Sequence, residues 1–162
     1  MPSITVAVAD HKKAGRAACL RVLQPEKGIQ VVLEARSGLE AIVAVAKLRP
    51  RILLFHLNLL KRGEINFLRV VHHRSPGTKV ILLTHRVSGT RILEALSHGV
   101  RGYLKESAIS TFLVEAVRKV EAGEAWLPRN MVSKVVDCLA RLSPREGEDS
   151  DIRLKYIESK SN

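Results

Sequence analysis

The sequence predicts an α/β fold: a (βα)5 doubly wound domain with a five-stranded parallel sheet, followed by a C-terminal linker helix. Five short apolar runs alternate with five amphipathic stretches along the first three quarters of the chain. The apolar runs are almost continuously apolar or β-branched, which is typical of strands covered on both faces. The stretches between them have helical periodicity, so the sequence indicates βαβ units with right-handed crossovers.

The predicted elements follow one another at short intervals. Strands are expected at residues 4–9, 30–34, 52–55, 80–83 and 102–104, and helices at residues 14–23, 38–48, 64–73, 88–98 and 110–122. Ser37 is a candidate N-cap of the second helix, while Gly99 and Gly123 stand where helix C-caps are expected. Ala17, Leu20 and Leu23 form the predicted buried side of the first helix.

Composition narrows the class of protein. With 162 residues and aromatic residues at only 4%, the chain is expected to form one domain and a short extension around an aliphatic core. No apolar run reaches the roughly 18 to 20 residues that cross a bilayer, and no signal peptide is visible at the start. Cys19 and Cys138 form no CxxC pair, so we expect reduced, buried thiols in a cytoplasmic protein.

The formal net charge of +11 permits a second function class, the binding of DNA or another polyanion. The basic residues are expected to be spread over most surface faces, and no Lys/Arg run is interleaved with aromatic residues. Polyanion binding is therefore kept as an alternative function.

Polar residues follow four of the predicted strands. The strand ends carry Asp10 and His11, then His56, then Thr84 and His85, then Lys105 and Glu106. In open doubly wound sheets, ligands bind outside the carboxyl ends of the strands. These residues are the candidate site, although Asp10 is the only aspartate among the first 136 residues.

From residue 3 to about 127 the chain resembles bacterial response-regulator receiver domains of the NarL/FixJ (LuxR-type) family. The resemblance lies in residues 4–10 (ITVAVAD), 49–54 (RPRILL), 79–84 (KVILLT), 99–104 (GVRGYL) and 115–120 (EAVRKV). It implies a flavodoxin-like receiver fold in a protein that is not an enzyme. It also implies signalling in a two-component phosphorelay, with transcription regulation in a full-length protein. The replacements at the candidate site, described below, lead us to expect no catalytic residues and no bound cofactor.

The resemblance also assigns roles to positions of this chain. The family's acidic pair, which holds Mg²⁺, corresponds to Asp10 and His11, and its phosphoacceptor aspartate corresponds to His56. The hydroxyl that binds phosphoryl oxygens is kept as Thr84. The family's lysine corresponds to Glu106, with Lys105 one residue early and expected on the opposite face. Tyr103 corresponds to the switch aromatic and is expected to be half-buried.

These replacements predict a degenerate receiver that is not phosphorylated on aspartate, because Mg²⁺ prefers carboxylate oxygens and imidazole is a poor substitute. We expect His56 to fill the vacated pocket and to hydrogen-bond Asp10 or Thr84. Two alternatives stay open. In the first, His56 itself carries a phosphoryl group. In the second, His11 and His56 bind a transition metal together with Glu106 or Asp10.

The tail is expected to be organised separately. Residues 1–127 are assigned to the receiver-like domain, 128–142 to a linker helix, and 143–162 to the start of a helix-turn-helix domain that the resemblance implies. Because the chain ends before a recognition helix, we expect no specific DNA binding by this chain alone. We expect instead that the chain binds a protein partner or forms a homodimer. The expected contact surface is an apolar stripe made of Val132, Val135, Val136 and Leu139. No membrane association is expected.

Overall fold

A computed structural model describes residues 2–60, 66–86 and 89–141, with the side chains of residues 89–92 excepted. Five parallel strands form one sheet in the order β2-β1-β3-β4-β5. They are β1 (Ile4–Ala9), β2 (Ile29–Ala35), β3 (Ile52–His56), β4 (Lys79–Thr84) and β5 (Val100–Lys105). The predicted doubly wound fold class is confirmed, and every predicted strand is present.

Six α-helices accompany the strands in the described part of the chain. They are α1 (Lys13–Leu23), α2 (Gly38–Leu48), α3 (Asn66–Arg74), α4 (Gly89–Ser97), α5 (Ile109–Glu121) and α6 (Arg129–Arg141). The predicted starts of the third and fourth helices, at residues 64 and 88, lie outside the described residues.

The core lies between the central strands and the helices α1 and α5. All five residues of β3 are buried, because this strand has neighbours on both sides and helices over both faces. Alternate residues of β1, β3 and β4 pack with Cys19, Leu113 and Val117 in one apolar cluster. This arrangement explains the continuous apolar runs, since both faces of the central strands exclude water.

The predicted helix caps are confirmed. The backbone N–H of Glu40 donates a 3.1 Å hydrogen bond to Oγ of Ser37 at the start of α2. Gly99 and Gly123, which follow α4 and α5, have φ values of 91° and 98°. A side chain is strained in this left-handed region, so glycine suits both helix ends.

The outer edge of β5 is partly covered by the chain that follows α5. The N–H of Trp126 donates to the carbonyl of Arg101 at 2.9 Å, and the N–H of Tyr103 donates to the carbonyl of Trp126 at 2.8 Å. The Trp126 ring lies 6.0 Å from the ring of Phe112 on α5. These contacts pair part of an otherwise open strand edge.

Three expectations about burial were wrong. The buried residues of α1 are Arg16, Cys19 and Leu23, whereas Ala17 is exposed. The buried residues thus follow i, i+3, i+7 spacing from an arginine, which an apolar pattern overlooks. Tyr103 is only 1% exposed rather than half-buried, because α4 and α5 both pack against β5. Cys138 is half-buried rather than buried.

Contacts divide the chain into a unit of residues 1–128 and a second unit that begins at Arg129. Within the second unit, α6 is amphipathic. Val132, Val136 and Leu139 of the predicted stripe are exposed, whereas Val135 is half-buried. The predicted helix-turn-helix start at residues 143–162 lies outside the described residues. None of the described helices combines the length and apolarity that crossing a membrane requires.

Candidate functional site

His56 ends the central strand β3 and is 5% exposed. Its Nδ1 accepts a 3.0 Å hydrogen bond from the backbone N–H of Asn58. This contact assigns the unprotonated position to Nδ1 and the proton to Nε2. Nε2 lies 2.5 Å from Oε1 of Glu106 and therefore donates to that carboxylate. The imidazole is held at both nitrogens, by its own strand end and by the turn after β5.

Glu106 begins a short 3₁₀ turn directly after β5. While Oε1 accepts from His56, Oε2 lies 3.3 Å from Nδ1 of the exposed His85, which follows β4. Burial alone would raise the pKa of Glu106, but the hydrogen bonds and charges of His56 and His85 outweigh it and leave this pKa below its usual value. Glu106 is therefore a carboxylate at neutral pH. Its contacts with His56 and His85 link the end of β5 to the ends of β3 and β4.

Asp10 directly follows β1 and is 2% exposed. Its Oδ1 accepts from the backbone N–H of Lys12 at 2.8 Å and from Nδ2 of Asn58 at 3.0 Å. A Cβ added to Gly15 on α1 would lie 2.0 Å from Oδ2 of Asp10. The carboxylate thus occupies space that only a glycine at position 15 leaves open, and Asn58 links it to the end of β3.

Arg16 places a buried cation behind this strand end, a feature that the sequence reasoning missed. Nη1 donates a 2.9 Å hydrogen bond to the backbone carbonyl of Asp10, and Nε lies 3.5 Å from Oε1 of Glu34 on β2. The sequence signal for the burial of Arg16 was its position on α1, one turn before Cys19 and two turns before Leu23. One turn further along α1, burial and the charge of Asp10 raise the pKa of the Cys19 thiol to about 12.

Thr84 and Lys105 stand opposite each other in the β4–β5 register. The buried hydroxyl of Thr84 donates to the backbone carbonyl of Arg86 at 2.6 Å, so it is already used within its own turn. Lys105 is exposed, whereas the next residue, Glu106, contacts His56. The strand end thus directs a carboxylate rather than an ammonium group toward the middle of the site.

The prediction that His56 hydrogen-bonds Asp10 or Thr84 was wrong. Neither Asp10 nor Thr84 is its hydrogen-bond partner among the described residues, because Asp10 bonds Lys12 and Asn58 and Thr84 bonds Arg86. The sequence reasoning also missed Asn58, whose Oδ1 lies 3.4 Å from the N–H of the exposed His11. An Asn two residues after a strand end was the available signal.

The donor atoms present do not suit the Mg²⁺ that the resemblance implies. Mg²⁺ needs several hard oxygen ligands in near-octahedral geometry, but His56 stands where a central carboxylate is needed. Oδ1 of Asp10 already accepts two hydrogen bonds, and both oxygens of Glu106 contact imidazoles. Among the described residues, no three His, Cys, Asp or Glu side chains converge in a way that would hold a metal ion.

Comparison with known proteins gives the context of this site. The family described as "Response regulator receiver domain" matches residues 6–118. Transcriptional regulatory protein DegU of Brevibacillus brevis is 27% identical over 156 residues, which cover 96% of this chain and 66% of that protein. Response regulator GacA of Pseudomonas protegens is 29% identical over 136 residues, which cover 82% of this chain and 62% of that protein. The chain thus spans slightly less than two thirds of the length of these curated relatives.

Solved structures agree on the fold. A LuxR-family two-component response regulator from Aurantimonas sp. has a TM-score of 0.75 at 21% identity, with 85% of this chain and 99% of that chain covered. The isolated REC domain of RcsB from Salmonella enterica, in the apo form, also has a TM-score of 0.75, at 19% identity, with 83% and 99% covered. At these identities the likeness concerns the fold.

Proposed function

Because this chain belongs to the response regulator receiver domain family, we propose that it is a receiver whose state is not set by phosphorylation of an aspartate. The observation that carries the proposal is the buried His56 at the end of β3, held through both ring nitrogens. An aspartyl phosphate needs a carboxylate at that position, and the described strand end has none.

The electrostatics of the site support the same proposal. A transferred phosphoryl group carries negative charge and is stabilised by cations placed around it. Here the carboxylate of Glu106 lies beside His56, while Lys105 is exposed and Thr84 is bonded to Arg86. A phosphoryl group at this site would therefore meet repulsion from Glu106 and find the hydroxyl already in use.

Incubation with a small phosphodonor and Mg²⁺, followed by intact-mass analysis, tests the proposal. The wild-type chain should show no phosphoryl adduct. The matched control is the double variant His56→Asp/Glu106→Lys, which supplies the missing carboxylate and cation and should gain one phosphoryl group. A base-labile adduct on the wild-type chain would overturn the proposal, and an acid-labile one would identify phosphorylation of an imidazole.

We propose that the output of this receiver is a protein contact made through α6, in the cytoplasm and within a transcription-regulating pathway. The proposed organisation is a receiver domain over residues 1–127, a linker helix over 128–142, and the start of a DNA-binding domain over 143–162. Val132 and Val136 of the apolar stripe are 51% and 45% exposed. A second copy of α6 would cover such a stripe as helices pack in a bundle.

Light scattering at increasing concentration tests the α6 surface. The double variant Val132→Asp/Val136→Asp should be monomeric at concentrations where the wild-type chain is a dimer. Val43→Asp on α2 is the matched control, because Val43 is also an exposed helical valine, at 59%. Equal dimerisation of all three proteins would remove α6 from the interface.

A further inference from the structure

A surface cleft lies away from the strand-end site, between α3, the end of α4 and the start of β5. It has a volume of about 840 Å³. Six basic or potentially basic side chains line it: Arg69, His72, His73, Arg74, His98 and Arg101. We call this cleft the basic cleft, and none of the described residues that line it carries a carboxylate.

The three arginines of the basic cleft are exposed, and no ion pair between described residues involves Arg69, Arg74 or Arg101. Elsewhere in the described chain several arginines have acidic partners, such as Arg118 with Glu26 at 3.1 Å. The charge of the basic cleft is therefore not neutralised by the described side chains around it.

The sequence explains this imbalance. Residues 41–93 contain ten Lys and Arg residues but a single acidic residue, Glu64. Most of the formal net charge of +11 therefore comes from residues 41–93. Part of this excess positive charge lies on α3, whose Arg69 and Arg74 line the basic cleft.

Helix ends oppose the charge of the basic cleft only in part. The C-termini of α3 and α4, at Arg74 and Ser97, both belong to its lining. Each helix C-terminus is equivalent to about −0.5 elementary charge, so the two contribute about −1 against three guanidinium groups. The basic cleft keeps a positive charge of about +2 before any histidine is protonated.

We propose that the basic cleft binds the phosphodiester backbone of nucleic acid without reading its sequence. Guanidinium groups bind phosphate through paired hydrogen bonds, and three of them line one open surface. A small anion would need an enclosing pocket to be bound tightly, whereas five of the six basic side chains are exposed. An extended polyanion can contact several exposed arginines at once. This inference does not depend on the strand-end site.

Fluorescence anisotropy with a short labelled DNA duplex of arbitrary sequence tests the proposal on the whole chain. The test variant is Arg69→Gln/Arg74→Gln, and the matched control is Arg21→Gln/Arg49→Gln, which removes the same charge from exposed arginines outside the basic cleft. Each phosphate contact adds about 0.9 to the salt slope, which corresponds to roughly tenfold in affinity at 0.1 M salt. The test variant removes two such contacts, so it should lose roughly a hundredfold in affinity and about 2 in slope, and the control should lose much less.

Equal losses in the two variants would show that only net charge matters and would overturn the proposal. Circular dichroism checks that both variants fold. Arg101→Gln, on β5, gives a second test from the other wall of the basic cleft, with an expected slope loss of about 1. Displacement of the duplex by inorganic phosphate more strongly than by chloride at equal ionic strength would indicate a small-anion site and refute the nucleic-acid assignment.

Discussion

Replacing Gly15 by alanine should destabilise the protein, although alanine is the better helix former. Position 15 lies in the first turn of α1, where Gly→Ala ordinarily gains up to about 1 kcal/mol. Here the new Cβ would lie 2.0 Å from Oδ2 of Asp10. Non-bonded atoms settle at about 3.5–4.0 Å, so the carboxylate or the helix must move by more than 1 Å.

The expected cost follows from what that movement breaks. Oδ1 of Asp10 accepts hydrogen bonds from the N–H of Lys12 and from Asn58, and hydrogen bonds to a charged group contribute about 1.5–3 kcal/mol each. Weakening one of them, together with an overpacking cost of about 1–3 kcal/mol, exceeds the gain in helix propensity. We expect a net loss of about 2 kcal/mol, or a drop in Tm of about 4–8 °C for a chain of this size.

Urea unfolding of a double-mutant cycle measures this coupling. In the Asp10→Ala background, Gly15→Ala should stabilise the protein by about 0.5–1 kcal/mol, because the clash is absent. The sign of the effect should therefore reverse between the two backgrounds. Gly77→Ala is the control, since nothing lies within 4 Å of a Cβ built there. If Gly15→Ala is neutral or stabilising in the presence of Asp10, the close approach of the carboxylate to α1 is wrong.

Two further predictions concern titratable groups. In the folded protein at pH 8, Cys138 should react with iodoacetamide while Cys19 stays unmodified, because Cys19 is buried and its pKa is raised to about 12. Peptide mapping identifies which cysteine is labelled. Rapid labelling of Cys19 would contradict its burial. Because the pKa of Glu106 is lowered in the folded state, its stabilising contribution is present above the unfolded pKa and lost as pH falls through the folded pKa. The stability difference between the wild-type chain and Glu106→Gln in urea should therefore shrink on acidification below about pH 4.5, and a difference that grows there would refute the contact with His56.

The strands could be predicted because their signal is local. Continuous burial of the central strands gives continuous apolar runs, and β1 was predicted with its observed bounds, Ile4–Ala9. The prediction for β5 was too short, because its residues Arg101 and Lys105 are exposed and interrupt the apolar pattern. Helix ends were predictable where a capping residue such as Ser37 or Gly99 marks them.

The candidate site could be predicted only in part. Parallel strands bring their carboxyl ends to one edge of the sheet, so the topology itself places Asp10, His56, Thr84 and Glu106 there. Which of these side chains bond to one another depends on rotamers and on residues without a motif. Asn58 donates a hydrogen bond to Asp10, and Glu106 reaches across β4 to bond His56. Pairings of this kind join residues about 50 positions apart, and no periodicity in the sequence encodes them.

The pairing of residue 126 with β5 determines how short a stable version of this domain can be made. A truncation after α5, at the apparent end of the last βα unit, would remove both main-chain bonds to Arg101 and Tyr103 and the indole that covers Phe112. The freed strand would offer unpaired N–H and C=O groups to another molecule, which is a common start of aggregation. Expression boundaries for this receiver therefore belong after Pro128, not at Gly123.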